Sequence, residues 1–265
     1  MIGRPYVVVM LAALAGATAL PAQGRIAYAP GARRYHLISV VTRSQEVNGQ
    51  KSDFKLTNEQ QVSVNLSAHG KDTLDFAYTI DSSRIASDPP VPLPDVAKMQ
   101  GMKVSGTMSP LGKVFTITSS RPTDDPDAKV LMEGMGRFLI ALPRGAKVGS
   151  TWTDTLRNVV NHDGNDIATS TITTSKIVGD TTFAGEKAWR VQRTSVLTLK
   201  GTQNQNGQQL RVEGNGTASS MYYLGAAGAY LGSAGEQHMQ MTIDVPGSGP
   251  VPMVQSVTSK VELVP

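Results

Sequence analysis

The chain has 265 residues, 40% of them hydrophobic, 17% charged and 5% aromatic, with 26 glycines, 15 prolines and no cysteine. That length and apolar content allow a sizeable core and exclude global disorder, while the missing thiols exclude disulfides, a cysteine nucleophile, thiolate metal sites and a lipidated cysteine. A formal charge of +4 is a weak field for a chain of this size, and no basic run interleaved with aromatics marks a nucleic-acid surface.

Residues 1–24 read as a secretory signal peptide. Arg4 gives a positive start, Val7 to Ala19 is an apolar run too short to span a bilayer comfortably, and small residues follow from Ala17 to Gly24. The expectation is an exported protein, periplasmic or released, with residues 25–265 forming one β-rich domain and no transmembrane segment in the mature chain.

From Tyr35 the hydrophobic period becomes two, the signature of half-buried strands. Tyr35–Val41 reads as a first strand, and Asn48-Gly49 as a hairpin turn, because both residues tolerate positive φ. Phe54 to Leu66 continues the extended pattern, Ala68–Asp72 turns the chain, and Leu74, Phe76, Tyr78 and Ile80 alternate strictly. Ser87–Pro94 carries four prolines and is expected to be a loop, with one helical turn over Pro94–Gln100. Val104–Met108 and Val114–Ile117 form the next pair, joined by Ser109-Pro-Leu-Gly112.

One stretch is convincingly helical, 125–142. Asp125 suits the N-cap, Pro126 the first helical position and Asp127 the positive helix end. Leu131, Met135, Phe138 and Leu142 fall on one face, and Pro143 stops the helix. After Trp152 the β pattern resumes: a hairpin at Asp163-Gly164, a long Thr-rich strand over Ile167–Val178, a turn over Gly179–Gly185, and even-spaced Trp189, Val191, Leu197 and Leu199. Leu210 and Val212 precede Gly214-Asn-Gly-Thr217, and a tight hairpin at Gly225-Ala-Ala-Gly228, a strand over Met239–Val245, a loop over Pro246–Pro252 and a closing strand Val254–Val264 complete the chain. Segments 35–118 and 152–245 have the look of two pseudo-repeats on either side of the helix.

Catalytic patterns are missing. His36, His69, His162 and His238 share no metal-ligand spacing. Asp163-Gly-Asn-Asp166 offers too few oxygens for calcium, and a hairpin turn explains it without a metal. The acidic cluster at Asp124, Asp125 and Asp127 belongs to the helix start. There is no Gly-x-Ser-x-Gly elbow and no phosphate-binding glycine loop. No metal or other cofactor is expected, and an enzyme is the least favoured class. The remaining signal is apolar: 11 methionines, most on expected strands or the helix, which suit an adaptable apolar pocket.

Lys147-Val-Gly-Ser-Thr-Trp-Thr153 resembles a pattern of an uncharacterised family of exported bacterial β-rich proteins, which carry a V-G-x-x-W motif between two β halves. Gly31-Ala-Arg-Arg-Tyr35, Asn48-Gly-Gln50 and Gly216-Thr-Ala-Ser are similar to it as well. The resemblance covers most of the mature chain and implies no activity and no functional residues. A looser likeness, in architecture alone, is to periplasmic half-barrel lipoprotein carriers. The expected fold is mainly β, an antiparallel curved sheet or incomplete barrel of about ten to twelve strands with the amphipathic helix between two β blocks. The expected function is non-catalytic binding of an apolar or lipid-like ligand, lined by Leu131, Met135, Phe138 and Leu142. The alternative is a structural or protein-interaction module of the cell envelope. Trp152 is expected to be a fold anchor rather than a ligand platform.

Overall fold

The structure, a computed structural model, describes residues 26–264 apart from 48, 91–92, 94, 123–124, 163–164, 206–207 and 246–248. The expected signal peptide at 1–24, Asn48 and the Asp163-Gly164 turn lie outside the described residues, as does the side chain of Met135.

Eleven strands occur among the described residues: β1 (Gly31–Val47), β2 (Gln50–Ala68), β3 (Leu74–Asp88), β4 (Lys103–Met108), β5 (Val114–Ser119), β6 (Thr151–His162), β7 (Asn165–Phe183), β8 (Glu186–Gln205), β9 (Gln208–Gly225), β10 (Tyr230–Val245) and β11 (Gly249–Val264). They form one antiparallel sheet in the order β5-β4-β3-β2-β1-β11-β10-β9-β8-β7-β6. The expected fold class is therefore what the chain adopts, mainly β and open. The first and last strands pair in the middle of the sheet, from Arg34↔Val264 to Gln45↔Met253. Its two edges, β5 and β6, are consecutive in sequence and joined through helix α1 (Pro126–Phe138). The sheet curls strongly: Arg33 Nη1 on β1 meets Glu186 Oε1 on β8 at 2.9 Å, although β11, β10 and β9 lie between those strands.

Several local expectations are corrected. The helix ends at Phe138 rather than Leu142. Beyond it the backbone leaves helical pairing: Ile140 N–H donates to the Tyr28 hydroxyl at 2.9 Å and Leu142 N–H to Leu111 O at 2.7 Å. Its start is as expected, with Asp125 Oδ1 accepting from Asp127 N–H at 2.8 Å and Ala128 N–H at 3.1 Å. Those bonds, with Arg121 beside it, hold the Asp125 carboxyl below the ordinary carboxylate range. The helical turn expected over Pro94–Gln100 is a 3₁₀ turn, Val96–Met99. The Gly179–Gly185 turn shrinks to Ala184 and Gly185, both at positive φ. Pro250 and Pro252 sit inside β11, not in a loop. Gly214 and Gly216 lie inside β9. They admit close packing, since a Cβ on Gly216 would fall 2.3 Å from His238 O and 2.7 Å from Met239 Cγ.

The core gathers at one end of the half-barrel. Val62, Val64, Phe76, Tyr78, Ile80, Val104 and Met108 from β2–β4 pack with Tyr35, Ile177, Val191, Leu224 and Tyr230 beneath Ala128, Leu139, Ile140 and Leu142. Two extended straps cap that end. In the first, Tyr28 N–H donates to Pro110 O at 2.6 Å and Ala29 N–H to Gly228 O at 3.0 Å, tying the β4–β5 turn to the β9–β10 turn. The second is 139–142, laid against the first through Tyr28. Gly112 and Gly228 seat the straps. Both have positive φ, and a Cβ on Gly112 would meet Ile140 O at 2.3 Å.

Gly106 on β4 faces the core with no room for a methyl group, since its Cβ would lie 1.9 Å from Thr116 O and 2.9 Å from Phe76 Cε1. Gly106→Ala should lower unfolding stability by about 1–3 kcal/mol, the usual cost of overpacking. Urea denaturation followed by tryptophan fluorescence checks this; an unchanged midpoint would contradict the packing described.

Candidate functional site

Opposed residues in an antiparallel ladder share a face, so the register assigns the concave wall. On β6–β11 one row runs Trp152, Ser175, Arg193, Ser220, Gly235, Ser259 and on to Ser39 of β1. The next runs Asp154, Thr173, Ser195, Ala218, Gln237, Val257 and Val41. Short side chains in these rows leave space. A cavity of about 510 Å³ opens there, between this wall and the Ile140–Ala141 strap, within the size range of small-molecule sites. Farther from the helix the wall turns apolar, with Leu197, Leu199, Met239, Met241 and Met253 on the same face; Met239 and Met253 are buried.

The polarity of the cavity is concentrated at Arg193. Its Cζ lies 5.3 Å from the Tyr222 ring centroid and its Nη1 donates to the Tyr222 hydroxyl at 3.4 Å, a cation–π arrangement. Three polar atoms in its row are buried without a protein hydrogen-bond partner: Arg193 Nε, Ser175 Oγ and Trp152 Nε1. Ser175 is fully buried. In the following row, Thr173 Oγ1 and Ser195 Oγ satisfy each other at 2.8 Å.

The residues expected to line a ligand site take a different place. Phe138 is the hub of an aromatic cage, with ring centroids 5.5 Å from Tyr35, 5.6 Å from Tyr78 and 4.8 Å from Tyr230. Leu142 is buried in the same core and Leu131 packs against it. The described three are not among the residues lining the cavity, whose strap side is Ile140 and Ala141. Arg193, Ser175, Thr173 and Ser195 went unread in the sequence. The available signal was parity: Arg193 and Ser195 occupy the same alternate positions as Val191 and Leu197, polar residues on a strand face that is otherwise apolar.

Burial pushes the phenols of Tyr28, Tyr35, Tyr78 and Tyr230 well above their ordinary range. All four stand around the straps and the Phe138 cage, and three of the hydroxyls are engaged within the protein: Tyr28 accepts from Ile140 N–H at 2.9 Å, Tyr35 donates to Tyr230 O at 2.7 Å, and Tyr230 pairs with Ser233 at 2.8 Å.

A Ser256–His238–Glu236 alignment lies on the convex face, with His238 Nδ1 2.9 Å from Ser256 Oγ and Nε2 3.9 Å from Glu236 Oε2. The His and Glu side chains are 61% and 60% exposed. The neighbouring backbone N–H groups are committed to the ladder, so no oxyanion donors face the serine. Among the described residues no three His, Asp or Glu are placed to hold a metal, and no helix is long and apolar enough to cross a membrane.

No protein-family model and no curated protein matches the chain. Among solved structures, an outer membrane channel from Pseudomonas putida F1 overlaps 91% of this chain and 98% of its own, at 12% identity and a TM-score of 0.30. A domain assigned to outer membrane lipoprotein sorting from Vibrio parahaemolyticus overlaps 87% and 83%, at 8% identity and 0.19. A DUF1329 family protein from Desulfovibrio piger overlaps 88% and 86%, at 8% identity and 0.18. Scores this low carry no argument about what this chain does.

Two outcomes follow from the cage. Phe138→Ala should cost about 3 kcal/mol or more of stability, as for other core phenylalanines, measured by denaturant unfolding. In alkali, folded phenols with raised pKa values hold their protons more tightly than unfolded ones. Their contribution is complete below about pH 10, the unfolded value, and is lost as pH rises above it. Absorbance at 295 nm should show Tyr28, Tyr35, Tyr78 and Tyr230 ionising together with loss of the far-UV β signal. Titration of every tyrosine near pH 10 with the fold intact would contradict their burial.

Proposed function

We propose that the chain is an exported, non-catalytic protein of the bacterial cell envelope that binds an apolar or lipid-like ligand on the concave face of its half-barrel. The observation that carries this reading is the cavity of about 510 Å³ under the Ile140–Ala141 strap, continuous in register with the Leu197, Leu199, Met239 and Met241 wall. A filled β core needs no such hollow, and methionines adapt to flexible apolar guests. Export is supported by the composition of residues 1–24.

The convex face supports an aqueous setting. Lys200, Glu213, Lys260 and Glu262 pair along it at 3.5 Å and 2.6 Å, with Arg211 beside Glu213. Charges of that density on the outside of a sheet are costly against lipid. The ligand therefore enters from within the trough, not across the outer wall.

A second reading, an envelope interaction module without a small ligand, is favoured by the β6 edge. β6 pairs only with β7 and exposes Leu156 (48%) and Val159 (62%), a template for strand addition. Native mass spectrometry of the protein purified from its own envelope, followed by organic extraction, separates the two. The expected result is a reproducible added mass that extracts as lipid. A clean apo mass together with no uptake of a fluorescent fatty acid would overturn the carrier reading in favour of the second.

A further inference from the structure

Resting on that carrier reading, we infer that the ligand is an amphiphile with an anionic oxygen headgroup, carboxylate or phosphate, seated at the Arg193 end of the Trp152–Ser175–Arg193 row, where Arg193 lines the cavity and the polar atoms of Ser175 and Trp152 are buried beside it. The register makes these residues successive neighbours on three adjacent strands, with Cβ atoms about 5 Å apart. Each has a buried polar atom that no protein group satisfies: Trp152 Nε1, Ser175 Oγ and Arg193 Nε. Two of the three are donors only, and the third is a hydroxyl able to donate. A group that accepts from all three is rich in lone pairs and donates nothing. Buried polar groups in native proteins are matched almost without exception, so three unmatched ones in a single row point to a partner from outside the chain.

Charge narrows the class. Among the described residues Arg193 makes no ion pair, and its partner there is the neutral Tyr222 hydroxyl. Two carboxylates stand near. Glu236 lies on the convex face by register, taking a bond from Ser219 at 3.4 Å. Asp154 is on the concave face, exposed and one row farther out at the β6 edge. The guanidinium is thus the inner charge and the carboxylate the rim charge. That order draws an acidic headgroup inward and leaves its chain along Leu197, Leu199, Met239 and Met241. A free amine or an ammonium headgroup on this row would meet the Arg193 guanidinium and the Trp152 N–H, neither of which can accept a hydrogen bond.

The test is a titration of the full mature chain with oleate, methyl oleate, oleylamine and inorganic phosphate by isothermal calorimetry below the critical micelle concentration. Oleate should bind at least about tenfold more tightly than methyl oleate or oleylamine, the worth of a hydrogen-bonded charge. Arg193→Gln should shrink that ratio to near one. Trp152→Phe, which keeps the ring and removes only the N–H, should shrink it by a smaller factor and guards against loss of folding in the arginine variant. Equal binding of oleate and methyl oleate overturns the headgroup inference and leaves the carrier reading standing. Uptake of none of the three amphiphiles overturns both, and phosphate binding in that case marks a small-anion site. Unchanged ratios in both variants would show that the row holds ordered water only.

Discussion

The arrangement depends on one packed ring. An open antiparallel sheet has two raw edges and no reason to curl shut at one end, unless something apolar occupies that end. Phe138 does so. Its ring stands edge-on to Tyr35 and Tyr78 and close to Tyr230, so β1, β3 and β10 converge on a residue carried by the link between the two sheet edges. Aromatic edge-to-face pairs add about 0.5–1.5 kcal/mol each beyond burial. Three on one side chain, reinforced by the Tyr35 to Tyr230 bond at 2.7 Å, make this the joint about which the wings are set. The straps at 26–29 and 139–142 depend on it in turn, because Ile140 follows Phe138 by two residues and is the group that Tyr28 holds.

That joint explains why the trough is hollow where it is. Large rings fill the helix end, and the sheet keeps its curvature beyond them. About half of the wall there is Ser, Thr, Ala and Gly, which cannot reach across. Gly214 and Gly216 go further, letting β10 approach so closely that Met241 Cγ and Met239 Cγ would each lie 2.7 Å from an added Cβ. The methionines lie over the glycines as a smooth apolar floor. The polarity along the trough, aromatic plug, hydroxyl band with Arg193, then Leu and Met, is the order on which the proposed amphiphile site rests.

The fold was largely legible in the sequence, because strand alternation and hairpin turns are local signals. Leu74 to Ile80 and the Gly225–Gly228 turn behave as their spacing implies. The role of glycine was harder to read. Gly214 and Gly216 answer the tertiary approach of β10, which no local pattern reports. The helix end was misjudged for a related reason: Leu139, Ile140 and Leu142 are apolar enough to extend the helical face, yet the Ile140 and Leu142 N–H groups bond to Tyr28 and Leu111, both distant in sequence. The site was less legible still. Phe138 was singled out for the right property, an apolar helix face turned inward, but that face fills the core. The polar residues that shape the cavity sit at core parity on β7 and β8, where a search for apolar runs passes over them.

At Trp152 the roles of anchor and proposed binding contact are compatible. The turn before it is fixed by backbone bonds: Gly149, at φ 88°, donates to Ile177 O at 2.8 Å, and Ile177 donates to Ser150 O at 3.0 Å. That clamp sets the register in which Trp152 faces Ser175. The indole ring packs against the core, which satisfies its apolar surface, while its N–H is left buried and unmatched. An unmatched buried donor costs about 1–3 kcal/mol, and phenylalanine would have supplied the same anchor without that cost. A sequence that places such a donor beside Ser175 and Arg193, in one row and with no protein acceptor, is locally frustrated, and frustration of that kind concentrates where a protein meets its ligand. The motif that starts the second half of the sheet thereby also positions the group that the proposed headgroup would satisfy.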